Sequence, residues 1–166
     1  MGIKRQIPSF LEGKVSPDQY ACWLDRKAAA HVKRDRKRDF GGAVGAAYRD
    51  AIHHAVLLSG GKDAYTGEDL HWELLSQYDN EKSKAGRSVY KASFGLLPTV
   101  DHLDTSASAM SFRICAWRTN DAKNDLSHDS FLELCQRALL HAGYTVAGPA
   151  TSTPVASEPA GVVSKT

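Results

Sequence analysis

Cysteine, one-sided charge and long apolar runs are all scarce in this chain, and each scarcity removes a class of protein. Three cysteines occur in 166 residues, at positions 22, 115 and 135, and none forms a Cys-x-x-Cys pair. Neither a disulfide framework nor a zinc ribbon is expected, so packing must hold the core. The formal net charge is only +2. Overall charge therefore gives no case for a nucleic-acid partner, and any such case must come from how the charge is distributed. No apolar run reaches the length of a membrane span and the N-terminus carries no apolar signal region. The expectation is a soluble, cytoplasmic protein without a membrane partner. There is no internal repeat. Hydrophobic residues make up 42%, ordinary for a globular domain with a real core.

What is present begins with helices. Residues 1–16 hold Pro8 and Gly13 and read as an irregular lead-in. Ser16 followed by Pro17 is a helix start, a side-chain N-cap and then proline at the first helical position. Tyr20, Trp23, Leu24, Lys27, Ala28 and His31 fall on one face at a period of 3.6, apolar at first and weaker toward His31. The same helix ends in a basic run, Lys33, Arg34, Arg36, Lys37 and Arg38, interrupted by Asp35. Cations are favoured near a helix C-terminus, but the dipole calls for one or two charges. Five point to a phosphate-binding surface.

Phe40 to Gly45 breaks the helix. A second helix is expected from about Val44 to Leu58, with Val44, Ala47, Tyr48, Ala51, Ile52 and Ala55 on one stripe and Ser59-Gly60-Gly61 as its end. His53 and His54 diverge by about 100° on a helix, so they do not form a shared metal site. Asp63 to Leu70 reads as a turn and helix start, with Leu70, Leu74 and Tyr78 on one face. Residues 79–86 read as a polar loop, and Arg87 to Phe94 as a short strand or extended connection. Near the end, Ser127 caps a helix whose stripe, Phe131, Leu134, Cys135, Ala138, Leu139 and Ala142, is expected to be core, with Gly143 as its stop. From Val146 the chain is small and uncharged and is expected to be a disordered tail.

The stretch with chemistry runs from Leu97 to Leu126. An apolar β-prone run delivers Asp101 and His102 side by side. A loop of small residues follows, then a second β-prone run, Met110 to Trp117, and a polar helical turn with Arg118, Asn120 and Lys123. Upstream stands Tyr65-Thr66-Gly67-Glu68. In this order the residues resemble the HNH endonucleases, and the likeness covers about residues 60–142. The carrying features are the Asp-His pair at 101–102, the Asn-x-x-Lys at 120–123 and the Tyr-Thr-Gly-Glu at 65–68. Many members hold the motif with zinc-binding cysteines; here the position before Ala64 is Asp63.

The resemblance implies an α+β fold, mainly helical, around a ββα-metal hairpin and helix. The expected organisation is an N-terminal helical region (1–58) packed as one domain with a nuclease core (59–143), followed by the tail (144–166). It implies His102 as the general base, and Asp101 and Asn120 as catalytic ligands of one divalent ion. Oxygen donors suit Mg²⁺ or Mn²⁺ better than zinc. Lys123 and Arg118 are expected to contact phosphate, beside Lys33, Arg34, Arg36, Lys37 and Arg38; ordinary surface charge is the alternative for Arg118 and Lys123. The family's middle asparagine, which orients the base, aligns by spacing with Ser111. That role passes to Ser111, or to Asp104, Thr105 or a backbone carbonyl. His128 is read as a surface residue at a helix start.

Adjacent strand residues point to opposite faces. Asp101 and His102 can therefore serve one phosphate only if the strand ends or bends at them. The expected function is metal-dependent hydrolysis of phosphodiester bonds in DNA, with RNA not excluded as substrate. Phage defence, restriction or a mobile element is the expected setting, with a controlling protein partner to restrain the nuclease. The runner-up is a nucleic-acid-binding module of the same fold that does not cut. A structural domain in which Asp101 and His102 make a packing hydrogen bond is the third reading.

Overall fold

The computed structural model describes residues 6–38, 44–103 and 111–148. Among the described residues it is an α+β structure of helices and one two-stranded antiparallel sheet. The chain divides into two compact units, 1–131 and 132–166. Among the described residues no helix is long and apolar enough to cross a membrane.

Helix α1 (Pro17–Arg36) starts as its sequence requires. The Ser16 hydroxyl accepts from the Gln19 amide at 3.2 Å and the Gln19 side chain accepts from the Ser16 amide at 3.0 Å, a closed capping box. The expected stripe is buried and extends further than its apolar residues: Tyr20, Trp23, Leu24 and Ala28 are joined by His31, Val32 and Asp35. Helix α2 (Gly45–Ser59) buries Tyr48, Ile52, Ala55 and Val56 and packs on α1. It stops at Gly60, whose φ of 55° is the left-handed conformation that glycine adopts without steric cost. His53 is half-buried and His54 exposed, and His53 Nδ1 meets the Tyr20 hydroxyl at 2.7 Å.

Strands β1 (Pro98–His102) and β2 (Phe112–Ala116) form the hairpin, with Asp101 opposite Arg113 and His102 opposite Phe112. Helix α4 (Trp117–Lys123) follows β2 without a loop. The core joins α1, α2 and the hairpin; Tyr20, Leu24, Ile52, Val56, Trp72 and Ile114 are each at most 2% exposed. Burial of each such side chain stabilises by about 1.5–3 kcal/mol.

Asp63 fastens the turn before Tyr65 to this frame. Its carboxylate, 2% exposed, accepts from the backbone amides of Tyr65 (2.8 Å) and Ala116 (3.1 Å) and from the Thr119 hydroxyl (2.6 Å). One buried acid thus ties the 63–67 turn to the junction of β2 and α4. Its cost of desolvation is offset by three hydrogen bonds.

Three expectations from the sequence are corrected. Residues 79–86 are not a loop and Arg87 to Phe94 is not a strand: α3 (Asn80–Ala92) runs through both. It lacks a buried stripe, but Asp79 caps it by accepting from the Glu81 and Lys82 amides, and its Glu, Lys and Ala favour helix. No α-helix carries Leu70, Leu74 and Tyr78; a single 3₁₀ turn, Trp72–Leu74, places Leu70, Trp72 and Leu75 inward instead. Finally, α5 (His128–His141) forms where expected, with Ser127 Oγ accepting from the Ser130 amide at 3.1 Å. No residue of it is buried, and Leu134 and Leu139 are exposed. Its stripe is amphipathic but is not core. Residues 144–148 carry no regular secondary structure, and the rest of the expected tail, 149–166, lies outside the described residues.

Candidate active-site cleft

The last two residues of β1 set the geometry. The strand ends at His102, and Leu103 turns away with its amide donating to the Ser111 carbonyl at 2.9 Å. The condition raised by strand alternation is met: the two side chains leave on opposite faces, yet both line one cleft of about 170 Å³. Its other walls are Arg34 of α1, Arg38 just past the end of that helix, Lys123 from α4, and the 124–127 turn.

On one face, Asp101 is 6% exposed and Lys123 4%. The Lys123 ammonium lies 3.2 Å from Asp101 Oδ2 and donates to Oδ1 at 3.3 Å. The Tyr65 hydroxyl also donates to Oδ2. Burial, and then that bond to Asp101, push the Tyr65 phenol above its ordinary value, so it stays a donor. The Tyr65 ring is held edge-on to Phe131 at 5.8 Å, with the Arg113 guanidinium 5.9 Å from its centroid. The upstream Tyr-Thr-Gly-Glu segment thus places the Tyr65 hydroxyl on Asp101.

On the other face, His102 is 6% exposed. Its ring meets Phe112 edge-on at 5.1 Å and lies 6.1 Å from His31. Nε2 faces Asp35 Oδ2 at 3.6 Å, an ion-pair distance rather than a hydrogen bond. Tyr48 of α2 donates to that same oxygen at 2.6 Å. Burial first, and then the bond to Asp35, raise the Tyr48 phenol to about 12. Burial holds the His31 imidazole down at about 4, reinforced by Arg34, His102 and Lys27 and opposed by Asp35. Among the described residues, His31 Nδ1, His102 Nδ1 and Asp35 Oδ1 are buried without a hydrogen-bond partner.

Of the residues predicted from the sequence, the cleft gathers Asp101, His102, Lys123, Arg34 and Arg38. It does not gather the others. Asn120 sits half-buried on α4, one turn before Lys123. Arg118 forks onto Glu68 at the surface. Lys33, Arg36 and Lys37 line a separate groove between α1 and α2, of about 590 Å³, together with Asp25 and Arg49. Ser111 offers its carbonyl to Leu103, and Asp104 and Thr105 lie outside the described residues. His128 Nδ1 is 3.2 Å from Arg113, at the start of α5. The surface-charge alternative fails for Lys123, which is buried. Sequence reasoning missed Asp35, Tyr48 and Tyr65 as neighbours of the pair. Only the 3.6-residue period gave a signal, since it puts Asp35 one turn after His31 on the buried face of α1.

Of the two oxygen ligands that the resemblance implies for a divalent cation, Asp101 alone lines the cleft. A carboxylate has about four lone-pair positions, so Tyr65 and Lys123 do not exhaust Asp101. Mg²⁺ and Mn²⁺ accept few protein oxygens and keep several waters. Among the described residues there is no group of three or more His, Cys, Asp and Glu arranged to hold a metal. No protein-family model matches the chain, and no curated protein and no solved structure matches it either.

Proposed function

We propose that the chain is a metal-dependent endonuclease of the HNH type that hydrolyses phosphodiester bonds in DNA, with the hairpin and α4 as its ββα-metal motif. One observation carries the reading. Asp101, His102 and Lys123, recognised together in the sequence, share a cleft with Arg34 and Arg38, which come from the basic run some 65 residues upstream. A carboxylate, an imidazole and three cations in one small concavity are the groups that phosphodiester hydrolysis needs.

The steps follow from the positions. Arg34 and Arg38 bind the phosphate and orient it, since guanidinium groups match phosphate oxygens in paired hydrogen bonds. His102, which lines the cleft, takes a proton from water. The O–H electron pair stays on the oxygen, which forms the new bond to phosphorus. The P–O3′ bond breaks, and the leaving oxygen takes its proton from solvent. Asp101 would hold Mg²⁺ or Mn²⁺, which would supply charge stabilisation at the phosphoryl and leaving oxygens; Asn120, the second ligand the resemblance implies, stands outside the cleft lining. Lys123, 3.2 Å from Asp101 Oδ2, holds that carboxylate in place at the cleft.

The test is cleavage of supercoiled plasmid with Mg²⁺, Mn²⁺ or EDTA, beside His102→Ala. Nicking that requires metal and His102 supports the reading. A specific observation favours a second reading, a binding module that does not cut: Asp101 is already neutralised by Lys123 and hydrogen-bonded by Tyr65. That reading predicts plasmid retardation at low salt without turnover in any metal.

A further inference from the structure

A general base must be held in the correct tautomer, and the motif leaves this one without its usual support. Ser111 stands where an orienting asparagine is expected, and its carbonyl is engaged by the Leu103 amide. Three elements converge on His102 from elsewhere. Helix α1 brings His31 and Asp35, four residues apart and on one face. Helix α2 brings Tyr48, and β2 brings Phe112. Phe112 is edge-on to both imidazoles, 5.0 Å from His31 and 5.1 Å from His102, so the plane of His102 is fixed by packing.

Packing fixes a ring plane but does not distinguish its two nitrogens. A charge beside one of them does. Asp35 is 2% exposed. A carboxylate in that position is costly unless it is partnered. The partners its side chain shows are the Tyr48 hydroxyl at 2.6 Å and His102 Nε2 at 3.6 Å, both at Oδ2. A carboxylate facing Nε2 favours the tautomer with the proton there, and so leaves the lone pair on Nδ1. Hydrogen bonds of this kind are often long before substrate binds and shorten afterwards.

We propose that Asp35, anchored by Tyr48, is the positioning residue of His102, holding the proton on Nε2 and so leaving the lone pair on Nδ1 as the basic nitrogen. The assignment rests on the nuclease reading for its catalytic meaning, but the tautomer lock itself does not. Asp35 does not touch the reacting atoms; it acts through the imidazole. Its place inside a run of five cations disguises it as part of a solvated charge cluster.

The test uses the full-length protein with Asp35→Ala, Asp35→Asn and Tyr48→Phe. The His102 tautomer is read from long-range ¹H–¹⁵N correlations of the ring, and single-turnover cleavage is measured on the same samples. Wild type should show Nε2–H alone. Asp35→Ala should show a mixture of tautomers and about a 100-fold lower kcat with KM little changed. Asp35→Asn keeps an accepting carbonyl and should recover part of both, and Tyr48→Phe should lie nearest wild type. If Asp35→Ala does not fold, the Asn and Phe variants decide by the same two readouts. An unchanged tautomer in the folded variants overturns the proposal, as does an unchanged kcat alongside a shifted tautomer. If wild type does not cut, the nuclease reading falls, and the tautomer still reports on Asp35.

Discussion

The two faces of β1 are built on opposite plans. Asp101 faces α4 and the 63–67 turn, where every neighbour answers its charge: Lys123 at 3.2 Å and the Tyr65 hydroxyl. His102 faces α1, where His31 Nδ1, Asp35 Oδ1 and its own Nδ1 are buried without partners among the described residues. A saturated face of this kind stabilises. An unsaturated one carries a cost in stability, and buried groups left short of partners concentrate at functional sites. One strand thus carries a paired carboxylate and, on the next residue, an imidazole whose Nδ1 has no partner among the described residues. The prediction that follows is a difference in stability cost: damage to Asp101 leaves Lys123 buried and unpaired and falls on folding as well as on turnover, whereas damage to His102 falls mainly on turnover.

The largest expected effect breaks the saturated face. Asp101→Ala leaves the Lys123 ammonium buried and unpaired, which should cost about 3–5 kcal/mol in urea unfolding. Asp101→Leu combined with Lys123→Met removes both charges and should recover most of that loss. A double variant as unstable as the single one would show that the pair is not what holds the face together.

The next effect sharpens the other face through pH. His31 is kept neutral in the folded chain, with its pKa down at about 4 against 6.5 for the free side chain. Because the folded value is depressed, the unfolded chain binds the proton first as the pH drops. The stability that neutral His31 contributes is therefore complete above about pH 6.5 and is lost as the pH falls toward 4. Between pH 7 and pH 5 the loss should be about 2 kcal/mol by chemical denaturation. His31→Phe should flatten that slope; an unaltered slope would place the titration elsewhere.

The smallest effect concerns the two arginines at the cleft. Arg34→Gln and Arg38→Gln should each weaken DNA binding several-fold, and each should lower the slope of log affinity against log salt by about 1. Lys37→Gln, in the separate groove, should change binding but leave kcat alone. Equal loss of kcat at all three positions would show that the basic run acts as one undivided patch.

Much of this frame was legible from residue order alone. Ser16-Pro17 announced α1, Gly60 announced the end of α2, and two β-prone runs around Asp101-His102 announced the hairpin, because caps, glycine and periodicity act locally. The losses were tertiary. The polar α3 carries few large apolar residues to betray it, and its cap at Asp79 looked like part of a loop. The stripe of α5 is clean, yet nothing in a periodic pattern says whether a partner covers it. Asp35 was hidden by its basic neighbours, since sequence does not show which side of a charged helix end turns inward. Asp63 and Tyr65 carry their weight through contacts to residues 101, 116 and 119, distances along the chain that no local signal spans.

The most direct test of the account is the cleavage of supercoiled plasmid in Mg²⁺ by wild type and by His102→Ala, with the folded state and DNA affinity of each measured in parallel. The account predicts nicking by wild type that EDTA stops, and at least a 1,000-fold slower rate in His102→Ala, with fold and binding intact. Equal cleavage by the two proteins, or binding by wild type without cleavage in any metal, would contradict it.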